Sequence, residues 1–382
     1  MNFEYSSEQQ QLADSVDRFV EREYDFERRK AIIASEAGWS EQVWNGLVEL
    51  GLTALAVPEE HGGLGAGAMD LLAPMQAIGR GLLVEPFLST IGVPARVIAR
   101  AGSASQKETL LAQVAEGTLK LAFAHVEPGA RHSLSRVRAE AARTADGWTL
   151  SGDKRVVLHA PMADRLLVTA RVSGAAGDEA GLSLFLVDAR APGVSMKTCR
   201  TVDNFRAADV LLENVRVGPD ALVGAEGQGF EALDEAVDYA TALLCAEAVG
   251  AMDFANATTL EYLKTRRQFG VPIGSFQALQ HRMVDMTISA EQSRSITYLA
   301  CAKVDAAARG ELTVAERRRF VSAAKVKVAD ACRHVGQEAV QLHGGMGMTQ
   351  EMKVAHTFKR LTMIAQAFGD AEHHLERFAK AA

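Results

Sequence analysis

The stretch at 361–375, LTMIAQAFGDAEHHL, sets two acids and two histidines behind a phenylalanine and a glycine. Carboxylates and imidazoles are the side chains of general acid–base chemistry. Asp370 and Glu372 equally fit the solvated acids of a helix start. His373 and His374 are not a metal pair, because adjacent helical residues face different sides. Two other stretches carry residue types suited to a ligand. RRQFGVPIGSFQ at 266–277 can offer a guanidinium to a phosphate with Phe269 beside it, or be a helix–helix connection with a solvated Arg–Arg pair. QLHGGMGMTQE at 341–351 has Gly344, Gly345 and Gly347, which let backbone approach a ligand or a second chain. It can also be a C-cap and turn before the last helix. VPEEHGGLG at 57–65 reads by itself as a loop.

Other chemistries lack their signatures. No G-x-G-x-x-G follows a strand and opens a helix, which argues against a Rossmann dinucleotide site. There is no G-x-S-x-G elbow and no P-loop. Cys199, Cys245, Cys301 and Cys332 form no C-x-x-C pair and have no histidine at ligand spacing. They read as buried free thiols, and no metal site is expected. The net charge of -7 argues against a nucleic-acid partner. No apolar run reaches the roughly 20 residues of a membrane span. The N-terminal MNFEYSSEQQQLADSV is not of signal-peptide type, so the expectation is a cytoplasmic protein with no membrane partner.

These residues need elements to position them. A chain of 382 residues has room for two or three domains. The first third reads helical: Ser6 or Ser7 can cap a helix with Gln9 or Gln10 three residues on, and Leu12, Val16, Phe19 and Val20 share a face. SEQVWNGLVELGL repeats the pattern from Ser40 to Gly51, and two more helical stretches follow. The middle third alternates instead. VRAEAARTADGWTLSGDKRVVL carries Asp146-Gly147 as a hairpin turn signal, and RLLVTARV, GLSLFLVDA, GVSMKTC and ADVLLENVRV are further strands. With no helix between them, the expectation is an antiparallel β domain. From Gly229 long helical periods return, with Gly250 the one glycine of the first. The expected architecture is α+β and multi-domain. It has an N-terminal helical domain at 1–118, a central β domain of barrel-like form at 119–225 and a C-terminal four-helix bundle at 226–382.

Together the motifs resemble the acyl-CoA dehydrogenase family. The carriers are ELGLTALAVPEEHGGLG at 49–65, EPGA at 127–130, GAEGQGF at 224–230, RRQFGVPIGSFQALQ at 266–280 and QLHGGMGMTQE at 341–351. They stand in the family's order and span nearly the whole chain. The resemblance implies a flavoprotein that oxidises an acyl-CoA to the trans-2-enoyl-CoA. A glutamate takes a proton from Cα while a hydride leaves Cβ for FAD. It also implies a tetramer, with electron-transfer flavoprotein as electron acceptor.

In the family FAD straddles a subunit interface. One subunit's R-x-[TQ]-F and Q-x-x-G-G grip the adenosine and pyrophosphate end. The matching residues here are Arg266, Gln268, Phe269, Gln341, Gly344 and Gly345. The neighbour's β domain supplies a stretch like TEPGAGSD, and a Trp and a Thr against the flavin ring. Here that stretch reads VEPGARHS, with Val126, Arg131, His132 and Ser133 departing. Val156 stands at the Trp position and Leu158 at the Thr position. Valine does not stack as a ring does, and leucine has no hydrogen bond to give.

The base is missing as well. Most relatives place it where Phe368 stands; a minority place it at the position of Ala240, followed by an arginine where Thr241 stands here. Asp370 and Asp238 are the nearby acids. Asp370 lies two residues past the base position, which on a helix start turns its direction by about half a turn. The pattern resembles the small subunit of two-subunit dehydrogenases, of the pimeloyl-CoA dehydrogenase type. YDFERRKAI, LCAEAVGAM and FKRLTMIAQAFGDAEHHL carry that likeness. It implies a homologous large subunit that supplies the base, in an α2β2 heterotetramer. Two alternatives stay open. One is a self-sufficient homotetramer that uses a displaced acid; the other is a catalytically silent assembly or acyl-CoA-binding protein.

Overall fold

The computed structural model describes residues 6–381. They form two compact units, and both are discontinuous in sequence.

The first unit takes residues up to 31, 67–83 and 241 onward, and it is helical. Ser6 caps helix Ser7–Glu23 in a reciprocal box with Gln9, and Val16 and Val20 are buried on its inner face. Helix Ala68–Gly81 starts at Gly67, which has no side chain to cap with. The Asp305 carboxylate takes that role, accepting from Ala68 N at 2.7 Å and Met69 N at 3.0 Å. This helix meets helix Phe230–Thr265 with backbones touching. A Cβ at Gly79 would lie 1.9 Å from the Glu247 carbonyl oxygen, and one at Gly250 would lie 1.8 Å from that of Gln76. Gly250 therefore marks a helix crossing, the reason a glycine interrupts an otherwise strong helix former. Helices Gln277–Ala308, Val314–His343 and Lys353–Gln366 complete the bundle, and a shorter helix, Ala371–Lys380, follows.

The second unit takes 32–66 and 84–240. Its sheet contains β1 (Leu121–Ala124), β2 (Glu140–Thr144), β3 (Gly147–Leu158), β4 (Arg165–Arg171), β5 (Leu182–Asp188), β6 (Val194–Arg200), β7 (Arg206–Val217) and β8 (Leu222–Val223). The order is β6-β7-β3-β2-β4-β5-β8, with β1 beside β4. The unit also holds short helices, including Glu41–Glu49, whose Ser40 cap is formed and whose Trp44 is buried.

Three expectations need correction. The sheet is mixed, not purely antiparallel: β1 pairs parallel with β4, and β2 touches β4 in parallel at Glu140. Alternation reveals a strand but not its partner, and β1 pairs with a strand that comes only after the β2–β3 hairpin. That hairpin turns on Ala145 and Asp146, because Thr144 pairs with Gly147, which opens β3 at φ 142. Cys245, Cys301 and Cys332 are buried, but Cys199 is exposed, since β6 is the edge strand.

Candidate functional site

Helix Phe230–Thr265 ends with Arg266 N donating to Tyr262 O at 2.8 Å. The chain then makes a minimal hairpin, β9 (Arg267–Gln268) against β10 (Val271–Pro272). Its two tip residues, Phe269 and Gly270, have φ of 53° and 81°. Two positive φ values are the mark of a type I′ turn, where Asn-Gly is the usual pair. Phenylalanine in that conformation is strained, and such strain collects at binding sites. The result is a ring held out from the surface, 91% exposed. Phe276 meets it edge-on at 6.1 Å. Arg266 is exposed, and its guanidinium has no hydrogen-bond or ion-pair partner among the described residues.

Helix Val314–His343 stops at Gly344, whose φ is 61° and whose N–H donates to Gln341 O. A Cβ at Gly344 or Gly345 would meet nothing within 4 Å. The glycine backbone is thus bare toward open space, and Gln341 is exposed beside it in sequence. His343 links the two stretches: its ring stacks on Tyr262 at 4.5 Å. Its Nδ1–H donates to Ala339 O at 2.8 Å, while its buried Nε2 has no partner among the described residues. An unpaired guanidinium, a presented aromatic ring and bare glycine backbone suit the phosphate and adenosine end of a dinucleotide cofactor.

The β surface reads differently. Arg155 N donates to Val126 O at 2.7 Å, so Val126 and Val156 lie on adjoining backbone. They are 44% and 50% exposed, and Val156 sits at φ 48° where the β3–β7 pairing slips between Lys154 and Val157. Leu158 ends the strand. None of the three offers a ring or a hydrogen-bond donor on its side chain. Beneath them lies a buried polar cluster. Lys154 Nζ donates to Glu127 Oε1 at 2.6 Å and to Thr169 Oγ1 at 3.0 Å, and His125 Nδ1 meets the same hydroxyl at 3.0 Å. Burial pushes Lys154 down to about 8 despite its carboxylate partner. Burial, with the Lys154 charge, pushes His125 down to about 3.

The turn after helix Lys353–Gln366 is filled and fastened. Phe368 takes φ 56° and Gly369 φ 118°. His374 Nε2–H donates to Phe368 O at 3.0 Å, and its Nδ1 pairs with Ser322 Oγ at 3.2 Å. The fully buried Lys325 ammonium donates to Ala365 O at 3.1 Å and Gly369 O at 2.6 Å. Asp370 is the N-cap of helix Ala371–Lys380, its Oδ1 accepting from His373 N at 2.8 Å. Ala240 is buried in the second unit, and a Cβ added at Gly92 would lie 3.2 Å from its methyl group. Asp238 is buried too. Among the described residues no group of three or more His, Cys, Asp or Glu is placed to hold a metal.

Comparisons with known proteins fit this geometry. Residues 6–118, 122–215 and 227–382 match the N-terminal, middle and C-terminal domains of acyl-CoA dehydrogenases. The acyl-CoA dehydrogenase FadE12 of Mycobacterium tuberculosis is 32% identical over 331 residues, which is 85% of this chain and 84% of that one. The chain belongs to the acyl-CoA dehydrogenase family. This dehydrogenase has the family's three-part fold, and it is similar along its whole length to two solved structures. One is the ChsE4-ChsE5 complex from Mycobacterium tuberculosis (TM-score 0.88, 26% identity, 100% of this chain and 98% of that one). The other is PigA with FAD and proline (TM-score 0.91, 26% identity, 100% and 98%). The chain is thus an oxidoreductase of an FAD-dependent family.

Sequence reading missed what several residues of the dehydrogenase do. Lys325 and His374 lie inside helices whose pattern is apolar and charged in the ordinary way. Nothing in their spacing shows that they fasten one turn. The Tyr262–His343 stack was hidden for the same reason. Its one legible signal was that each residue adjoins a motif.

Proposed function

We propose that this chain is one subunit of a two-type acyl-CoA dehydrogenase, with an α2β2 assembly as its form. It lends half of an FAD site to a homologous partner, and the partner supplies the base. The observation that carries this reading is the 367–370 turn. Phe368 stands where relatives keep their carboxylate, and Lys325, His374 and the Asp370 cap hold that turn shut. Ala240 leaves the other base position empty as well.

In this reading Arg266 places its charge on the cofactor's phosphate end, and Phe269 packs against the adenosine. Gly344 and Gly345 let backbone N–H groups come close, and Gln268 and Gln341 add amide hydrogen bonds. When bound, FAD accepts the hydride that leaves the acyl Cβ. Val126, Val156 and Leu158 do not fit a flavin ring, so no step is assigned to this chain's own β surface. We further propose that 1–118, 119–225 and 226–382 act as the three domains, that the protein works in the cytoplasm, and that an electron-transfer flavoprotein takes the electrons.

The test is turnover of the purified chain alone and mixed with a homologous chain that carries the base. Loss of a general base costs about 10²–10⁴-fold. The mixture should be active and the chain alone silent. Equal rates would overturn the reading.

A further inference from the structure

The segment 344–352 joins helix Val314–His343 to helix Lys353–Gln366, and Gly344, Gly345, Met346, Met348, Gln350 and Glu351 are exposed along it. Exposed connections with few buried contacts open easily. This one is held near its start, where a Cβ at Gly347 would lie 2.5 Å from the Val340 carbonyl oxygen. Its far end is held differently. Lys30 reaches Glu351 at 3.3 Å, an exposed ion pair of the kind that contributes little. The stronger tie is buried. His356 Nε2 lies 3.1 Å from Gln350 O, and His356 Nδ1 lies 2.9 Å from Arg29 Nη1.

These partners fix the proton on the ring. A guanidinium only donates, so Nδ1 is the acceptor. Nε2 then carries the hydrogen and donates to the Gln350 carbonyl. Arg29 is itself anchored: it is 1% exposed, and its Nε donates at 2.7 Å to the carbonyl of Leu82, the C-cap of helix Ala68–Gly81. A continuous chain of hydrogen bonds thus runs from Leu82 through Arg29 and His356 to the Gln350 backbone. Phe26 meets the imidazole edge-on at 5.0 Å.

A neutral imidazole accepts on one nitrogen and donates on the other, and both bonds here need that form. Protonated, the ring would set an N–H against the guanidinium. Burial keeps the proton off, with the charges of Arg29 and Lys30 on helix Phe26–Ala34 and of Lys359 on the ring's own helix. The acids of these elements do not oppose them. Glu27 and Glu351 both pair with Lys30, and helix Lys353–Gln366 has no acid. Of the remaining cations, Arg28 pairs with Glu23, Arg360 pairs with Glu247, and Lys353 lies over the Phe254 ring at 4.2 Å.

We propose that His356 is a positioning residue for the cofactor half-site: its neutral ring holds the 344–352 segment in the form that receives FAD. The ring acts through the Gln350 carbonyl and needs no contact with the cofactor. A segment ordered beforehand costs less to bind. The proposal rests on the half-site reading above and names what keeps that half ready.

Two substitutions separate the ring's two bonds. His356→Asn keeps an acceptor near the Nδ1 position and loses the donor to Gln350 O. His356→Gln carries an amide N–H toward the Nε2 position and loses the acceptor for Arg29. Three quantities are read: hydrogen exchange of amides 346–352 in the chain alone, the urea midpoint, and the FAD dissociation constant of the assembly with a homologous chain, by flavin fluorescence. His356→Asn should exchange faster over 346–352 and bind FAD about two- to ten-fold more weakly, the effect of one lost hydrogen bond. His356→Gln should recover most of both at a similar urea midpoint. A role in packing alone would move exchange and affinity with the midpoint, alike in both variants, and that result overturns the proposal. So does unchanged exchange in His356→Asn, or faster exchange with unchanged FAD affinity. If neither variant folds, nitrogen NMR of the wild-type chain decides. The neutral Nε2–H tautomer at pH 7 supports the tether; the Nδ1–H tautomer or a protonated ring overturns it. The exchange measurement uses neither flavin nor partner. Loosening of 346–352 in His356→Asn, in a wild-type mixture that binds no FAD, supports the tether and sinks only the half-site reading.

Discussion

The Tyr262 ring stacks on the His343 imidazole with centroids 4.5 Å apart and planes 28° from parallel. Tyr262 stands four residues before one of the two stretches proposed to grip the cofactor, and His343 lies within the other. Tyr262 O receives the N–H of Arg266, and His343 precedes Gly344 at the end of its helix. The stack therefore fixes the spacing between an exposed guanidinium and exposed glycine backbone. Four predictions follow from this arrangement and its surroundings.

Arg266→Ala should strip flavin from the assembled enzyme. The guanidinium has no partner among the described residues, so its removal leaves stability unchanged within about 0.5 kcal/mol. Flavin absorbance per protein after gel filtration reads the effect, and Arg266→Lys should restore it in part, because lysine keeps the charge without the fork. Flavin content equal to wild type in Arg266→Ala would refute the role.

Phe368→Glu alone should not make the isolated chain active. A carboxylate there would supply the base that we propose this chain lacks, but Val156 and Leu158 would still present no ring and no hydrogen bond to a flavin. Turnover by the single variant, measured without a partner, would show that this chain's own flavin surface is intact.

Asp370→Ala should cost about 1 kcal/mol of stability through its lost N-cap bond to His373, with turnover of the assembled enzyme unchanged. Asp238→Asn should likewise leave turnover unchanged. The readouts are the denaturant midpoint and initial rates. A fall of 10²-fold or more in rate for either variant, about the size of a lost general base, would restore the displaced-acid alternative.

Acid should destabilise the fold well before the carboxylates titrate. Burial, with the Lys154 charge, holds His125 at about 3; burial, with the Arg29 charge, holds His356 at about 4. Burial, with the Lys325 charge, holds His374 well below the ordinary range. All three folded values lie below the unfolded one near 6.5, so the unfolded chain takes up protons first as pH falls. Their stabilisation is complete above about pH 6.5 and is lost on going down toward 4, by as much as about 1.4 kcal/mol per pH unit for each histidine. Urea midpoints measured from pH 7 to pH 4.5 test this. A flat profile over that range would refute neutral burial, and His374→Gln should remove one share of the slope.

Much of the fold was legible because it follows from local rules. The Ser6–Gln9 box and the Ser40 cap appear where side-chain spacing placed them. Strands β2 to β7 appear on the stretches read as strands, some alternating in burial like β3 and β7 and some continuously buried like β4 and β5. Direction of pairing was not legible, since β1 lies beside β4 and not beside its neighbour in sequence. The glycine at 250 was visible, but its reason, contact with the Gln76 carbonyl, was not.

By itself the sequence determined the family and the helix–sheet–helix order, and it put Phe368 and Ala240 at the two positions proposed for a base. Those are matters of residue type and order along the chain. Only the tertiary structure decided how the residues act. It turned Asp370 into a helix cap and recruited Lys325 from another helix to hold the 365–369 carbonyls. It presented Phe269 to solvent through a strained turn and closed the 128–138 loop on Glu127 and Arg171. The reason is physical. A hydrogen bond or a buried charge is set by distance in space and by what water is excluded, and neither is written in spacing along the chain.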